Sequence, residues 1–257
     1  MYKRQGFYHP TGERQSTLNY SYNFLCQCER CLGLDSTRGF FCKSNTCVNG
    51  IVFPVGNGED GNWRCSICGN IPDLMTRVKI SEREAAIVSN PPKTIAEIQA
   101  IISEGVLHPS HYLLFWAIND LSMSLAAHGR ATGSLAAYSD SLQLLREAVR
   151  LLEQMVNGVH HEKVVFYDRL AQLAIATGDI ASAQDYFRQA YEMSRRVCGS
   201  DTPSSRKLLE LATQCPSTIE ELVARYGVNA GGTEEDEEEG EEWEDVEEDD
   251  EPPEPAA

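Results

Sequence analysis

The sequence predicts a mainly α protein, with a small irregular cysteine-rich head, then an antiparallel stack of helices, then a disordered acidic tail. Seven of the nine cysteines lie before residue 70, in a stretch interrupted by many glycines. From about residue 76, apolar residues recur at the spacing of amphipathic helices. A dense run of Asp and Glu closes the chain. These observations divide the chain into residues 1–21, 22–75, 76–227 and 228–257.

Composition limits the class and the compartment. The 257 residues are enough for one or two domains with cores of their own. No apolar run approaches the ~18 residues of a membrane span, and the N-terminus lacks the apolar core of a secretory signal. We therefore expect cytoplasm or nucleus and no membrane partner. Thiols stay reduced there, so paired cysteines indicate metal ligands before disulfides.

The net charge of −17 belongs to the tail. Sixteen of the 39 acidic residues lie between Thr233 and Ala257, and the remaining 23 nearly balance 22 basic ones. Without a strongly basic face, direct nucleic-acid binding is not expected. Dense like charge predicts disorder. The tail either binds basic proteins such as histones or only solubilises the chain.

The first segment, residues 1–21, is polar and aromatic, with too few apolar residues for a core of its own. It resembles a fragment of a larger unit. In the head, short strands are expected at Ile51–Phe53 and Asn62–Arg64, beside the cysteine pairs.

Seven helices are predicted in the third segment, and Gly178 and Gly199 end two of them. Their predicted spans are Thr94–Ser103, His111–His128, Ser134–Val156, Glu162–Thr177, Ile180–Cys198, Ser204–Thr213 and Ser217–Tyr226. The side chains expected to be buried are Leu121, Leu125, Leu145, Leu152, Leu170, Leu173, Ala183, Phe187 and Ala190.

A faint repeat signal lies in the fourth and fifth of these helices. The residues that carry it are Leu170, Gly178, Ala183, Phe187 and Ala190. They resemble a tetratricopeptide helix pair, in which small residues stand where two helices touch. Ala174 stands where an aromatic is usual, and Arg195 where proline is usual. Short glycine-marked turns favour an antiparallel stack independently of this resemblance.

Four cysteines form two close pairs, Cys42-x4-Cys47 and Cys65-x2-Cys68, with seventeen residues between the pairs. Zn²⁺ prefers four tetrahedral ligands, and two such pairs can close a structural site. The alternative is a set of buried or redox-active thiols. We expect zinc, and with it a small irregular zinc-binding head.

A second cluster, Cys26-x-Cys28-x2-Cys31, supplies only three sulfurs. The other candidate ligands are His9, Cys198 and Cys215. The two distant cysteines are more typical of inert core thiols. The sequence therefore predicts a zinc site whose fourth ligand is missing or remote.

The stretch Arg14-x3-Leu18, followed by Tyr22-x-Phe24-x-Cys26-x-Cys28-x2-Cys31, closely resembles the end of the SET domain and the post-SET segment of SET-and-MYND protein lysine methyltransferases. The resemblance extends over roughly residues 8–227, because a tetratricopeptide-like helical domain follows in that family. It implies that the three cysteines share zinc with a fourth cysteine from a SET core.

The resemblance also implies site residues. Phe24 would pack on S-adenosylmethionine, and Tyr22 would line the channel for the target lysine; simple aromatic packing is the alternative for both. Tyr2 would be the catalytic tyrosine if the loop before Arg14 is two residues longer than usual. The family's MYND finger, Gly-rich cofactor loop and Asn-His-x-Cys motif would precede Met1. The chain alone is therefore not expected to catalyse.

Two functions follow from these features. The first is the C-terminal portion of a SET-domain protein lysine N-methyltransferase that uses S-adenosylmethionine on a protein substrate, histone or non-histone. The alternative is a non-catalytic zinc-binding, tetratricopeptide-like interaction module that takes a peptide partner.

Overall fold

The computed structural model describes residues 8–57, 62–156 and 158–226, and the predicted mainly α architecture is confirmed. Tyr2 and the acidic run lie outside these ranges. The described helices are α1 Thr11–Tyr22, α2 Glu29–Leu32, α3 Leu74–Ser89, α4 Ile95–Ser103, α5 Tyr112–Thr132, α6 Leu135–Met155, α7 His161–Ala176, α8 Ile180–Val197, α9 Pro203–Thr213 and α10 Ile219–Tyr226. The strands are β1 Phe40–Phe41, β2 Ile51–Pro54 and β3 Trp63–Cys65.

The head is built on a three-stranded antiparallel sheet in the order β1-β2-β3. Val52 is central, because it pairs with Phe40 on one side and with Cys65 on the other. The two predicted strands form, and β1 is an addition. With two residues, β1 is too short to show a periodic pattern in sequence.

All seven predicted helices form, and side-chain caps fix several of their starts. Thr94 and Glu97 make a reciprocal capping box at α4, and Ser134 accepts from the backbone N–H of Ala137 at α6. Helices α1, α2 and α3 were not predicted. Within α1 only Thr11 is buried, so its sequence carries almost no apolar stripe.

Small residues let α5 approach α6 closely. Ser122, Ala126 and Gly129 are buried on the face of α5 that meets α6. A Cβ on Gly129 would lie 3.1 Å from the ring of Tyr138. The prediction that Leu121 and Leu125 are buried is wrong: both are half-buried, because the close approach places small side chains at the contact. The other predicted core residues are buried, namely Leu145, Leu152, Leu170, Leu173, Ala183, Phe187 and Ala190.

Head and stack share one cluster of buried side chains. Tyr8 is fully buried and stacks on Phe115 of α5 with ring centroids 4.0 Å apart. Its hydroxyl donates to the carbonyl of Ser110 at 2.9 Å, and its own carbonyl accepts from Trp116 Nε1 at 3.1 Å. The segment just before α1 is thereby fixed between the head and α5.

A buried ionic network also joins head and stack. Arg38 donates two hydrogen bonds to Glu84 of α3, at 2.7 and 2.5 Å. His111 Nε2 lies 3.1 Å from the same carboxylate, while His111 Nδ1 accepts from the N–H of Leu113. Burial opposes ionisation of Glu84, but the hydrogen bonds from Arg38 and His111 outweigh it and lower the pKa. The charges are paired, as buried charges must be.

Candidate metal centres and interaction surface

The head sheet and its loops bring together the four predicted zinc ligands, Cys42, Cys47, Cys65 and Cys68, here called the four-thiol cluster. Cys42 follows β1 and donates its backbone N–H to the carbonyl of Gly50 at 2.8 Å. Cys65 ends β3 and accepts at its carbonyl from the N–H of Gly69. Gly69 has a φ of 69°, a left-handed conformation that suits glycine at this turn.

The sulfur positions fit a tetrahedral zinc site. The Sγ atoms of Cys42 and Cys68 are 3.8 Å apart, and those of Cys47 and Cys65 are 3.7 Å apart. Four sulfurs at ~2.3 Å from zinc in a tetrahedron stand ~3.8 Å from one another. A disulfide needs ~2.05 Å. The cluster is therefore arranged to hold a metal ion such as zinc, which would serve here as a structural cross-link.

Gly50 completes this site through its lack of a side chain. A Cβ at this position would lie 2.3 Å from Cys47 Sγ and 2.6 Å from Cys65 Sγ. Gly50 was not predicted as part of this site. It lies three residues after Cys47, whereas Gly69 directly follows Cys68, so the spacing alone does not single it out.

Backbone groups prepare one thiol of the four-thiol cluster for metal binding. Burial raises the pKa of Cys65, but backbone N–H donors of Cys68 and Ile67 and neighbouring thiols outweigh it and lower the pKa to about 7. Burial and the surrounding thiols raise the pKa of Cys47 to about 12. Metal binding must displace the proton from Cys47.

Cys26, Cys28 and Cys31, here called the three-thiol cluster, are also brought together, with their sulfurs all within 4.8 Å. Within the described ranges, no fourth His, Cys, Asp or Glu joins them. The candidate fourth ligands interact elsewhere. His9 Nδ1 lies 2.7 Å from Glu13, and Cys198 Sγ lies 4.0 Å from His161 Nδ1. Cys215 donates to the carbonyl of Pro216.

Helix α2 orders the three-thiol cluster, with Cys28 at its N-cap and Cys31 inside it. The N–H of Cys31 and the thiol of Cys26 lower the pKa of Cys28 to about 7. Burial raises the pKa of Cys31 to about 11, although a hydrogen bond from Arg14 opposes this. The Arg14 side chain is only 11% exposed and places a positive charge beside the Cys31 sulfur. In this cluster the Cys28 thiol therefore ionises most readily, and helix α2 orders the residues around it.

The aromatic residues that the resemblance singles out border this cluster. Tyr22 ends α1, Asn23 follows in the left-handed conformation, and Phe24 leads toward the cysteines. The Tyr22 and Phe24 side chains are 59% and 48% exposed. Other apolar side chains of this region are exposed too: Tyr20, Leu25, Leu32 and Leu34.

A shallow groove between α6, α7 and α8, with a volume of about 460 Å³, is a candidate interaction surface. Buried apolar and aromatic side chains, Val149, Tyr167 and Leu170, form its floor. Its rim is polar and consists of Arg146, Arg150, Glu153, Gln154, Tyr186 and Gln189. We call this surface the open groove. Its residues were not predicted as a site, because they come from three helices.

Comparison with known proteins supports the helical part. A family model described as tetratricopeptide repeat matches residues 166–204, which begin inside α7, span α8 and end at the start of α9. No curated protein matches the chain. This match confirms the predicted tetratricopeptide-like pair, but it does not include residues 14–31, which carry the SET and post-SET motif of the resemblance. None of the described helices is long and apolar enough to cross a membrane.

Proposed function

We propose that this chain is a protein-interaction module, in which a zinc-stabilised head supports a tetratricopeptide-like helical stack. The observation that carries the proposal is the match at residues 166–204, because it falls on two of the helices that form the open groove. Tetratricopeptide stacks generally present surfaces for protein segments. A cysteine-rich head with a structural metal fits the role of a rigid support rather than a reaction centre.

The chemistry of the open groove suits a peptide. Arg146 donates to the Tyr186 hydroxyl at 2.9 Å, and its guanidinium lies 5.9 Å from that ring, so the rim is ordered. Arg150 is half-exposed and pairs with Glu147, three residues earlier in the same helix. Tyrosine and arginine are enriched where proteins bind proteins. An extended segment could bury apolar side chains on the floor and pair its polar groups with the rim.

A photo-crosslinking amino acid at Gln189, on the rim of the open groove, tests the proposal in cell extracts. We expect it to capture specific proteins, and a second substitution of Arg150→Glu should reduce that capture. The same amino acid at Arg188, which is exposed on α8 but does not line the groove, is the matched control. Identical captured proteins from both positions, or capture that vanishes when only residues 233–257 are removed, would contradict binding in the open groove.

We propose as a second candidate that the chain is the C-terminal portion of a SET-domain protein lysine methyltransferase. The supporting observation is the three-thiol cluster, which is ordered but lacks a fourth ligand among the described residues, and which exposed apolar side chains border. Such side chains often mark a surface that another domain covers. In this proposal Phe24 would contact S-adenosylmethionine, Tyr22 would line the lysine channel, and Tyr2 would serve the catalysis.

A methyl-transfer assay with labelled S-adenosylmethionine separates the two candidates. The chain alone should transfer no methyl groups, whereas the chain mixed with a SET core that supplies the fourth cysteine should be active and should cover the exposed side chains. Turnover by the chain alone would contradict the view that the core is essential. An inactive mixture in which the core does not bind would leave the interaction module as the function.

A further inference from the structure

Helix α10 returns to the stack and packs on α7 rather than extending it. Its inward face consists of Ile219, Leu222 and Tyr226, spaced as i, i+3 and i+7. Leu222 is 4% exposed, and the Tyr226 hydroxyl donates to the Asp168 carboxylate of α7. This is the contact pattern of an amphipathic helix bound on a preformed surface.

The surface beneath α10 combines apolar and polar features. Lys207 of α9 places its ammonium 4.4 Å from the centre of the Tyr226 ring, a cation–π contact that selects an aromatic. Asp168 also accepts from Gln172 Nε2 at 3.0 Å. Burial raises the pKa of Asp168 to about 6. A carboxylate in this position favours a ligand that brings a hydrogen-bond donor.

A cavity borders the N-terminal end of α10. Ile219 and Glu220 line a cavity of about 330 Å³ together with Gly129, Arg130 and Tyr138. The surface beneath α10 therefore continues into a cavity that α10 does not fill.

Helix α10 is held by few contacts compared with α8. It has eight residues, of which only Leu222 is buried, whereas α8 has 18 residues and buries Ala183, Phe187, Ala190 and Ser194. Its start is stabilised locally, since Glu221 accepts from the N–H of Ser217 and donates its own N–H to Thr218. Isolated helices of this length are marginal in water. Local opening of α10 should therefore cost far less than global unfolding.

We infer that the face covered by α10 is a second docking site, separate from the open groove, for an amphipathic helix of a partner protein. The partner helix carries aliphatic side chains at positions i and i+3 and a tyrosine at i+7, and α10 is the chain's own occupant of the site. Binding then requires displacement of α10, so that α10 lowers the apparent affinity by competing from within the chain.

The test is an NMR titration of the isotope-labelled full chain with a synthetic peptide of residues 217–226. The double variant Leu222→Ser, Tyr226→Ala releases α10 from its site. We expect the peptide to shift the amides of Asp168, Gln172 and Lys207 in this variant, with an apparent affinity at least ten-fold higher than in the unmodified chain. A peptide with the same two changes is the control and should bind neither the variant chain nor the unmodified chain.

Equal affinity for both chains would overturn the inference, because α10 would then not cover the binding site. Absence of binding to a variant that keeps its helical circular dichroism would overturn it too. Hydrogen exchange on the unmodified chain provides a second test that needs no variant. Amides of α10 should exchange at least a hundred-fold faster than those of α7 and α8, and equal protection would show that α10 is a fixed structural cap. Neither result changes what a crosslinker at Gln189 captures, so the proposed function is tested independently.

Discussion

The four-thiol and three-thiol clusters use the same ligand type but are closed in different ways. In the four-thiol cluster, a sheet and two turns supply all four sulfurs at the separations of a zinc tetrahedron, and Gly50 leaves them room. In the three-thiol cluster, a short helix orders three sulfurs, and the described residues provide no fourth ligand. Stabilisation of the head is a sufficient role for the four-thiol cluster.

The difference teaches where to look for function. A closed structural site reports on folding, since its ligands and backbone donors are local. An ordered but incomplete site, bordered by exposed Tyr22 and Phe24, makes sense when something else completes it. The predictions that follow test whether the two clusters differ in this way.

The largest effect is expected from Cys65→Ser. Cys65 is 2% exposed and belongs to the closed site. Zinc supplies about 10–16 kcal/mol to small zinc modules, so its loss should unfold the head while most of the helical signal remains. Circular dichroism measures the remaining helical signal, and metal analysis measures the bound zinc. Cys28→Ser in the three-thiol cluster is the matched control and should change the free energy of unfolding by less than about 0.5 kcal/mol, because Cys28 is exposed.

Loss of all helical signal in Cys65→Ser would show that head and stack unfold as one unit. The shared buried cluster and the ionic contact of Arg38 with Glu84 would then transmit the damage. Equal destabilisation by Cys65→Ser and Cys28→Ser would remove the distinction between the clusters.

The next largest effect is expected from Gly50→Ala. The added methyl group would overlap two ligand sulfurs, so zinc affinity should fall on the order of 10- to 100-fold, as for other changes next to a metal site. Gly69→Ala is the matched control. Nothing lies within 4 Å of its added Cβ, but its φ of 69° should cost about 1 kcal/mol of stability. Competition with a chromophoric chelator measures the affinities, and a larger loss in Gly69→Ala would contradict the steric account.

Zinc stoichiometry sharpens the comparison without any substitution. After dialysis against a weak chelator, we expect one zinc per chain, held by the four-thiol cluster. Removal of Cys28 should leave that number unchanged. Two tightly held zinc ions would mean that the chain itself supplies a fourth ligand to the three-thiol cluster, and the second candidate function would lose its main support.

The smallest difference is expected in the response to pH. In each cluster one thiol, Cys65 or Cys28, has a pKa lowered to about 7. Its thiolate is available above that pH and is lost as the pH falls through it, so zinc affinity should decrease more steeply below about pH 7 in both. Isothermal titration with zinc between pH 6 and 8 measures this. A pH dependence of the affinity that does not steepen below about pH 7 would contradict the lowered pKa values.

Sequence reasoning predicted the helices best where periodic apolar residues pack on a partner. In α6, Leu142, Leu145, Val149 and Leu152 recur at helical spacing, and all are buried. It missed α3, whose buried face includes the charged Glu84 between Ile80 and Ile87. A carboxylate is acceptable there only because Arg38 and His111 meet it, which is a tertiary fact.

The candidate metal ligands could be predicted from spacing, because two cysteines of a pair must lie close in the chain to face one ion. The open groove could not be predicted, since α6, α7 and α8 meet there only after folding. The packing position of α10 on the stack could not be predicted either. Its sequence predicts a helix, but nothing local shows that Tyr226 reaches Asp168, 58 residues earlier.

The burial of Tyr8 has a practical consequence for anyone who trims this protein for crystallisation. Because the chain before α1 carries few apolar residues, residues 1–10 would be an obvious segment to remove. Doing so would leave a void the size of a tyrosine beside Phe115 and deprive the Trp116 indole of its acceptor. A shortened version should therefore begin at or before Tyr8. If a version that begins later is unstable, the cause would be this void and not an unstable helical stack.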